Sequence, residues 1–176
     1  MSLSDLAAIG SFVSGLAVVI TLVFLLLQIR QTNKNQRALM QHGRSTRNIE
    51  TLAHSMEPHV QPSFTRAMAG DVALNPMETT TGVNMMYMMF MNFEDSFLQN
   101  QSGTIDPNSW ASDEGRLRLY LARPALRAGW RLRRANFGDA FRDCVDRIMA
   151  ETKAVVGPDQ NSAWKEYLME EIAAAS

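Results

Sequence analysis

Histidine and carboxylate side chains gather between residues 42 and 59, and these are residue types that bind zinc. The set consists of His42, Glu50, His54, Glu57 and His59. Zinc-binding helices of the H-E-x-x-H type place two histidines four residues apart, whereas this chain reads H-x-x-E-P-H. Pro58 also interrupts any helix that would present these side chains together. We therefore predict polar surface residues near a turn, and no metal site.

The sulfur-bearing residues could supply a nucleophile or bind copper. Cys144 is the only cysteine, and the nearby Asp143 and Asp146 would raise the pKa of its thiol. Five methionines within residues 85–91 carry thioethers that suit Cu(I), but no histidine or cysteine accompanies them. They share an i, i+3, i+4 spacing with nearby phenylalanines, which is typical of a helix face directed at a core. We predict core packing for both kinds of sulfur, and no cofactor.

Glu94 lies within this apolar Met/Phe stretch, where a charged side chain is rarely buried without a partner. Residues 116–134 carry seven arginines and no acidic residue, so they offer cations that could meet it. We expect a buried ion pair between Glu94 and one arginine of the set Arg127, Arg131 and Arg134. The alternative is that Glu94 belongs to a functional site.

The seven arginines of residues 116–134 could instead bind nucleic acid or lipid headgroups. Only Tyr120 and Trp130 accompany them, whereas single-stranded nucleic acid is bound by several stacked aromatic side chains. The formal net charge of the chain is −1, which gives no support to a nucleic-acid partner. Binding of lipid headgroups, or pairing with Glu and Asp residues of neighbouring helices, explains these arginines better, and we predict that the chain binds no nucleic acid.

The elements that position these residues begin with an uncharged segment between Asp5 and Arg30. A membrane-spanning helix needs about 20 apolar residues to cross a hydrocarbon core of about 30 Å. A signal peptide would need a basic start, a shorter apolar run and a small-x-small cleavage site, and the sequence has none of these. We therefore predict a transmembrane helix within residues 1–29.

Basic residues follow this segment and none precedes it, with Arg30, Lys34 and Arg37 the first three. The positive-inside rule then predicts an outside N-terminus and a cytoplasmic C-terminal domain. We expect these three side chains to lie near anionic lipid headgroups, where each contributes about 1 kcal/mol.

Small and polar residues line one face of the predicted transmembrane helix. We call Gly10, Ser14, Ala17, Thr21 and Gln28 the small-polar face. Small residues let membrane helices approach closely, and hydroxyl and amide groups can donate hydrogen bonds across the contact. We predict that this face contacts protein, either a second copy of the chain or another membrane protein. In a symmetric bundle, Ser14, Thr21 and Gln28 would form polar rings that could line a pore.

The same seven-residue repeat continues beyond the membrane segment. Its positions are Gln31, Asn35, Ala38, His42, Ser45, Ile49 and Leu52. A single helix could therefore run to Ser55, or the chain could bend at Gly43, and the pattern leaves both open. We divide the chain into an anchor at residues 1–29, a basic juxtamembrane helix at residues 30–57 and a helical domain at residues 58–176.

The helical domain is divided by turn residues and helix caps. Pro62 to Gly70 should form a short helix, and about Thr81 to Asn100 the Met/Phe helix. Asp106, Asn136 and Ser162 are placed as N-caps of later helices, because their side chains accept hydrogen bonds from the first turn. The helix after Asn136 should bury Val155 and end at Gly157-Pro158. Apolar residues then recur at helical spacing, and strand patterns are missing from the sequence after residue 30. The predicted fold is all-α, a small helical bundle carried by a long N-terminal helix.

Several stretches of the sequence resemble a group of uncharacterised bacterial single-pass membrane proteins. The matching residues are Leu27-Gln28-Ile29-Arg30-Gln31, Phe93-Glu94-Asp95-Ser96-Phe97, Gly103-Thr104-Ile105-Asp106 with Trp110, and Pro124, Arg127, Trp130, Phe137 and Phe141. The resemblance covers nearly the whole chain. It implies the bacterial inner membrane and a helical fold, and it implies no activity.

Three functions are compatible with these patterns. The first is a homo-oligomeric, membrane-anchored scaffold or interaction protein without catalysis. The alternative is a small oligomeric channel lined by the small-polar face. A membrane-tethered enzyme comes third, because the sequence contains no P-loop, no G-x-G-x-x-G motif and no Ser-His-Asp set. The axis of the helix bundle distinguishes the first two: side chains packed along it favour the scaffold, and water along it favours the channel.

Overall fold

The computed structural model describes residues 2–155 and 160–175, without the side chains of Asp5, Ala8, Gln160 and Asn161. These residues form seven α-helices, one 3₁₀ helix and no strand, which confirms the all-α prediction. The helices are α1 Leu3–Ser55, α2 Gln61–Met68, α3 Pro76–Gln101, α4 Pro107–Leu121, α5 Pro124–Arg133, α6 Asp139–Glu151 and α7 Gln160–Ala174, with the 3₁₀ helix at Arg134–Asn136.

The chain divides into two compact units at Gly43, one of residues 1–43 and one of residues 44–176. The helical turns of α1 continue past Gly43, since α1 spans Leu3–Ser55. Residues 44–57 belong to the same unit as the helical domain, although the sequence had grouped them with residues 30–43. The reason is a set of polar contacts from the last turns of α1, described below.

The core of the second unit is built around Trp130 of α5, which is fully buried. Its ring centroid lies 5.0 Å from those of Phe90 in α3 and Phe137, and 5.8 Å from that of Phe141 in α6. Aromatic pairs at such distances stabilise a core beyond the effect of their buried area. The predicted Met/Phe face of α3 does face this core, with Met86 among its buried residues.

Two glycines allow the core helices to approach closely. A Cβ added at Gly82 of α3 would overlap the Cβ of Ala67 in α2. A Cβ added at Gly129 of α5 would lie 2.9 Å from Sδ of Met86 in α3. A side chain at Gly82 would therefore push α2 and α3 apart, whereas one at Gly129 would require the Met86 side chain to shift.

The helix starts follow the expected capping chemistry in α3 and α4. Asn75 and Glu78 form a capping box at the start of α3, in which each side chain accepts the backbone N–H of the other. Asp106 accepts a hydrogen bond from the backbone N–H of Asn108, as predicted, and Pro107 occupies the first helical position.

Three local predictions in the second half of the chain are wrong. Asn136 ends the 3₁₀ helix, and Gly138 is the N-cap of α6. Val155, expected in the core, is exposed beyond the end of α6, where its backbone N–H donates to the carbonyl of Ala122. Helix α7 already begins at Gln160, so Ser162 lies within it, and the predicted stop at residues 157–158 lies outside the described residues.

Candidate functional site

Helix α1 contains the one segment, within the described part of the chain, that is long and apolar enough to cross a membrane. The small-polar face predicted from the sequence lies along this segment, and Gly10, Ser14, Ala17, Thr21 and Gln28 are all exposed. The hydroxyl of Thr21 donates to the carbonyl of Ala17 at 2.8 Å, so it is satisfied within the helix.

The middle of this face is a shallow depression rather than a ridge. Ser14, Ala17 and Thr21 line it together with Val18 and Leu22. A Cβ added at Gly10 would meet no other atom within 4 Å, and the same holds for Gly15 on another side of the helix. Larger side chains at either glycine therefore fit this chain itself, and any effect on assembly would come from a partner.

The three basic residues assigned to the lipid surface lie on the next turns of α1. Arg30, Lys34 and Arg37 are exposed. The amide of Gln31 donates to Oδ1 of Asn35 at 3.2 Å along the same stretch. The structure thus leaves these cations accessible to solvent or to a headgroup.

The last turns of α1 are attached to the helical domain through a buried carboxylate that the sequence analysis did not identify. Nη2 of Arg44 lies 2.8 Å from Oδ2 of Asp113 in α4, and the Asp113 side chain is only 2% exposed. Arg116, one turn further along α4, pairs with the other oxygen of Asp113. A buried carboxylate needs such partners because an isolated charge is costly to remove from water.

Two further polar contacts bind the same turns of α1 to α3. Arg47 pairs with Asp95, and the Asn92 amide donates to the Thr51 hydroxyl at 2.9 Å. A sequence signal for Asp113 did exist: it occupies a core position in the Trp110, Leu117, Leu121 spacing of α4. An acidic residue at such a position predicts a buried partner, but its identity requires the tertiary structure.

Glu94 does not form the expected ion pair with Arg127, Arg131 or Arg134. It is half-buried, and its Oε1 accepts the backbone N–H of Gly138 at 2.8 Å, at the N-cap of α6. A carboxylate at this end of a helix satisfies a free N–H group and interacts favourably with the helix dipole. Glu94 therefore joins α3 to the start of α6 without a cation.

The three arginines have other roles. Arg127 donates to the carbonyls of Leu121, Met149 and Thr152, at the ends of α4 and α6. Arg134 pairs with Asp146, and Arg131 is exposed. A guanidinium has five N–H donors in one plane, so Arg127 can donate hydrogen bonds to several carbonyls at once.

Ion pairs with another helix account for two of the seven arginines of residues 116–134, Arg118 and Arg134, and Arg116 pairs within α4. Arg118 of α4 pairs with Glu114 and with Glu151 of α6, at 3.1 and 2.8 Å. Arg133 donates to Asn84 and lies over the Tyr87 ring. These contacts connect α3, α4, α5 and α6 on the outside of the core.

Asp146 of α6 is bonded both to Trp130 and to Arg134 of the preceding segment. The Trp130 indole N–H donates to Oδ1 at 2.8 Å, and Nε of Arg134 donates to Oδ2 at 2.7 Å. Burial on its own raises the pKa of Asp146, but the hydrogen bonds from Arg134 and Trp130, together with the nearby positive charge, outweigh it. The pKa therefore lies below its ordinary value.

Three of the residues first considered for metal binding, His54, Glu57 and His59, form a small surface cluster around Glu57. Its two carboxylate oxygens lie 2.8 Å from Nδ1 of His54 and 3.3 Å from Nε2 of His59. The hydrogen bond with His54 is the main reason why the pKa of Glu57 lies below its ordinary value. Among the described residues, no group of three or more His, Cys, Asp or Glu side chains is arranged to hold a metal ion.

Cys144 is buried in the core, as predicted. Burial is the largest cause that raises the pKa of its thiol; Arg147 opposes the rise and Glu114 adds to it. The predicted direction is therefore right, but its cause is burial and not the carboxylates of Asp143 and Asp146. A buried thiol with a raised pKa is a poor nucleophile.

The fold and these contacts define an all-α chain with one N-terminal helix able to cross a membrane. Comparison with protein-family models, with curated proteins and with solved structures finds no match to the chain.

Proposed function

We propose that this chain is a membrane-anchored, homo-oligomeric scaffold or interaction protein that performs no catalysis. One observation carries the proposal: α1 exposes the small-polar face on a segment long and apolar enough to cross a membrane. Lipid tails provide no hydrogen-bond partner for an amide such as that of Gln28, and a purely apolar helix would suffice as an anchor. Close packing of this face against a second copy gives its residues a role.

Membrane lipid is the second proposed partner. We place the chain in a bacterial inner membrane, with the N-terminus outside and the helical domain in the cytoplasm. The basic residues support this orientation, because Arg30, Lys34 and Arg37 are exposed directly after the apolar segment. The resemblance of the Leu27-Gln28-Ile29-Arg30-Gln31 stretch to bacterial inner-membrane proteins supports the location.

A small ion channel is the alternative, and one specific feature favours it. Ser14, Thr21 and Gln28 recur every seven residues and are exposed, so several copies around an axis would stack them as polar rings. Ion flux through reconstituted vesicles, lost on Thr21→Leu, would promote the channel over the scaffold. Vesicles that conduct no ions at any membrane potential would exclude it.

The scaffold is tested with a matched pair of glycine variants of the full chain. Gly10 lies on the small-polar face and Gly15 does not, and neither position has a neighbouring atom that a side chain would meet. Gly10→Leu should separate the oligomer, because a bulky residue keeps two helices apart, whereas Gly15→Leu should leave it intact. The measurement is native mass spectrometry of the protein released from detergent micelles.

Two outcomes of this experiment would contradict the proposal, and one of them concerns the wild-type protein. A wild-type monomer, or an oligomer that survives Gly10→Leu, would contradict self-association through this face. In that case the exposed face would have to contact a different membrane protein.

A further inference from the structure

The last turns of α1, residues 44–55, present two opposite faces. One face is attached to the helical domain, through Arg44 and Arg47. The other face carries Ile49 and Leu52, followed by Met56 directly after the helix, and these side chains are 66%, 62% and 69% exposed. We call Ile49, Leu52 and Met56 the apolar seam. The domain thus leaves three large apolar side chains exposed along one face of these turns.

The spacing of the seam is that of a coiled coil. Ile49, Leu52 and Met56 are separated by three and then four residues, as are the a and d positions of a heptad. The sequence keeps the same register upstream, with Asn35 at an a position. A seven-residue repeat on a helix of 3.6 residues per turn winds two helices around each other with a left-handed twist.

We propose, on the basis of the homo-oligomer proposed above, that the apolar seam packs against the same seam of a second copy in a parallel, two-stranded coiled coil. A second copy has the same repeat in the same register. Two chains anchored in one membrane with one orientation also present these turns in parallel. Ile at an a position with Leu at a d position favours two strands, and a buried Asn at an a position fixes the register.

The charges of this segment also fit a second copy. The cations of these turns, Arg44 and Arg47, face Asp113 and Asp95 of their own domain and lie away from the seam. Two identical copies therefore approach along the seam without repulsion between like charges. Since each domain occupies the opposite face of these turns, the two domains lie on the outside of the pair.

Disulfide cross-linking in isolated membranes tests this arrangement with the full-length chain. Leu52→Cys places a thiol at a d position, where two helices of a parallel pair bring it to its equivalent. Glu50→Cys, exposed on another side of the same turn, is the matched control. The wild-type chain, whose native Cys144 is buried, shows how much dimer forms without an introduced cysteine. On mild oxidation we expect Leu52→Cys to lose most of its monomer band to a dimer, and Glu50→Cys to retain it.

Ser14→Cys, on the small-polar face, separates failure of this inference from failure of the proposed function. If Ser14→Cys forms dimers and Leu52→Cys does not, the chain self-associates and the coiled coil is wrong. If neither forms dimers, both proposals are wrong. Equal cross-linking of Leu52→Cys and Glu50→Cys would indicate random collision and would also overturn the coiled coil.

Discussion

The guanidinium of Arg44 and the carboxylate of Asp113 lie 2.8 Å apart, although 69 residues separate them in the chain. Asp113 is almost fully buried and Arg44 is 12% exposed. The pair holds the last turns of α1 against α4, with Arg116 on the second carboxylate oxygen. Both residues belong to the unit of residues 44–176, so the pair fixes these turns of α1 within that unit.

Removal of the buried carboxylate should strongly destabilise the domain. Asp113→Ala leaves Arg44 buried without its partner, and loss of one member of a buried pair costs about 3–5 kcal/mol. For a chain of this size we expect the melting temperature to fall by roughly 10 °C or more. Tryptophan fluorescence during heating in detergent measures it. Asp143→Ala, on the exposed face of α6, should change it little.

The double variant Arg44→Ala with Asp113→Ala tests whether the two residues act as a pair. Its loss of stability should be clearly smaller than the sum of the two single losses, since neither charge then remains unpaired. Additive losses would show that Asp113 acts mainly through Arg116.

Glu94 should contribute as a helix cap and not as a buried ion pair. Glu94→Ala removes the acceptor of the Gly138 N–H and should lower the unfolding free energy by about 1 kcal/mol, the usual effect of a lost cap. Urea unfolding at neutral pH measures this. Glu170→Ala, exposed on α7, is the control and should be close to wild type. A loss as large as that of Asp113→Ala would contradict the capping role.

Two glycine-to-alanine changes should have opposite effects. Gly82→Ala gains helix propensity of about 1 kcal/mol, but its Cβ would overlap Ala67, and overpacking costs about 1–3 kcal/mol. We expect net destabilisation. Gly115→Ala in α4 meets no atom within 4 Å and should stabilise by up to about 1 kcal/mol. Melting temperatures of both variants measured side by side decide this; a stabilised Gly82→Ala would mean that α2 moves away at little cost.

The stabilising effect of Asp146 should depend on pH. Its pKa is lowered in the folded state, so its contribution is fully present above the ordinary aspartate pKa of about 3.9 and is lost as the pH falls through the folded value. The difference in unfolding free energy between wild type and Asp146→Asn should therefore be largest near neutral pH and shrink in acid. Urea titrations at several pH values measure it, and a difference that grows in acid would contradict the assignment.

Most helices of this protein could be predicted from the sequence because their signals are local. The capping side chain of Asp106, the proline at residue 124 and the apolar spacing of α3 all act within a few residues of the chain. The uncharged segment and the small-polar face are also properties of a single helix. The cap predicted at Asn136 is wrong because a short 3₁₀ helix ends at this residue and the N-cap of α6 is Gly138.

The partners of the charged residues were decided by the tertiary structure alone. The sequence showed that Glu94 and the arginines of residues 116–134 needed partners, but many pairings satisfied that need. Which ones form depends on which helix ends meet when the aromatic core around Trp130 packs. Gly138 meets Glu94 and Asp113 meets Arg44 across 44 and 69 residues of chain. Helical periodicity repeats every 3.6 residues and contains no information about contacts at such separations.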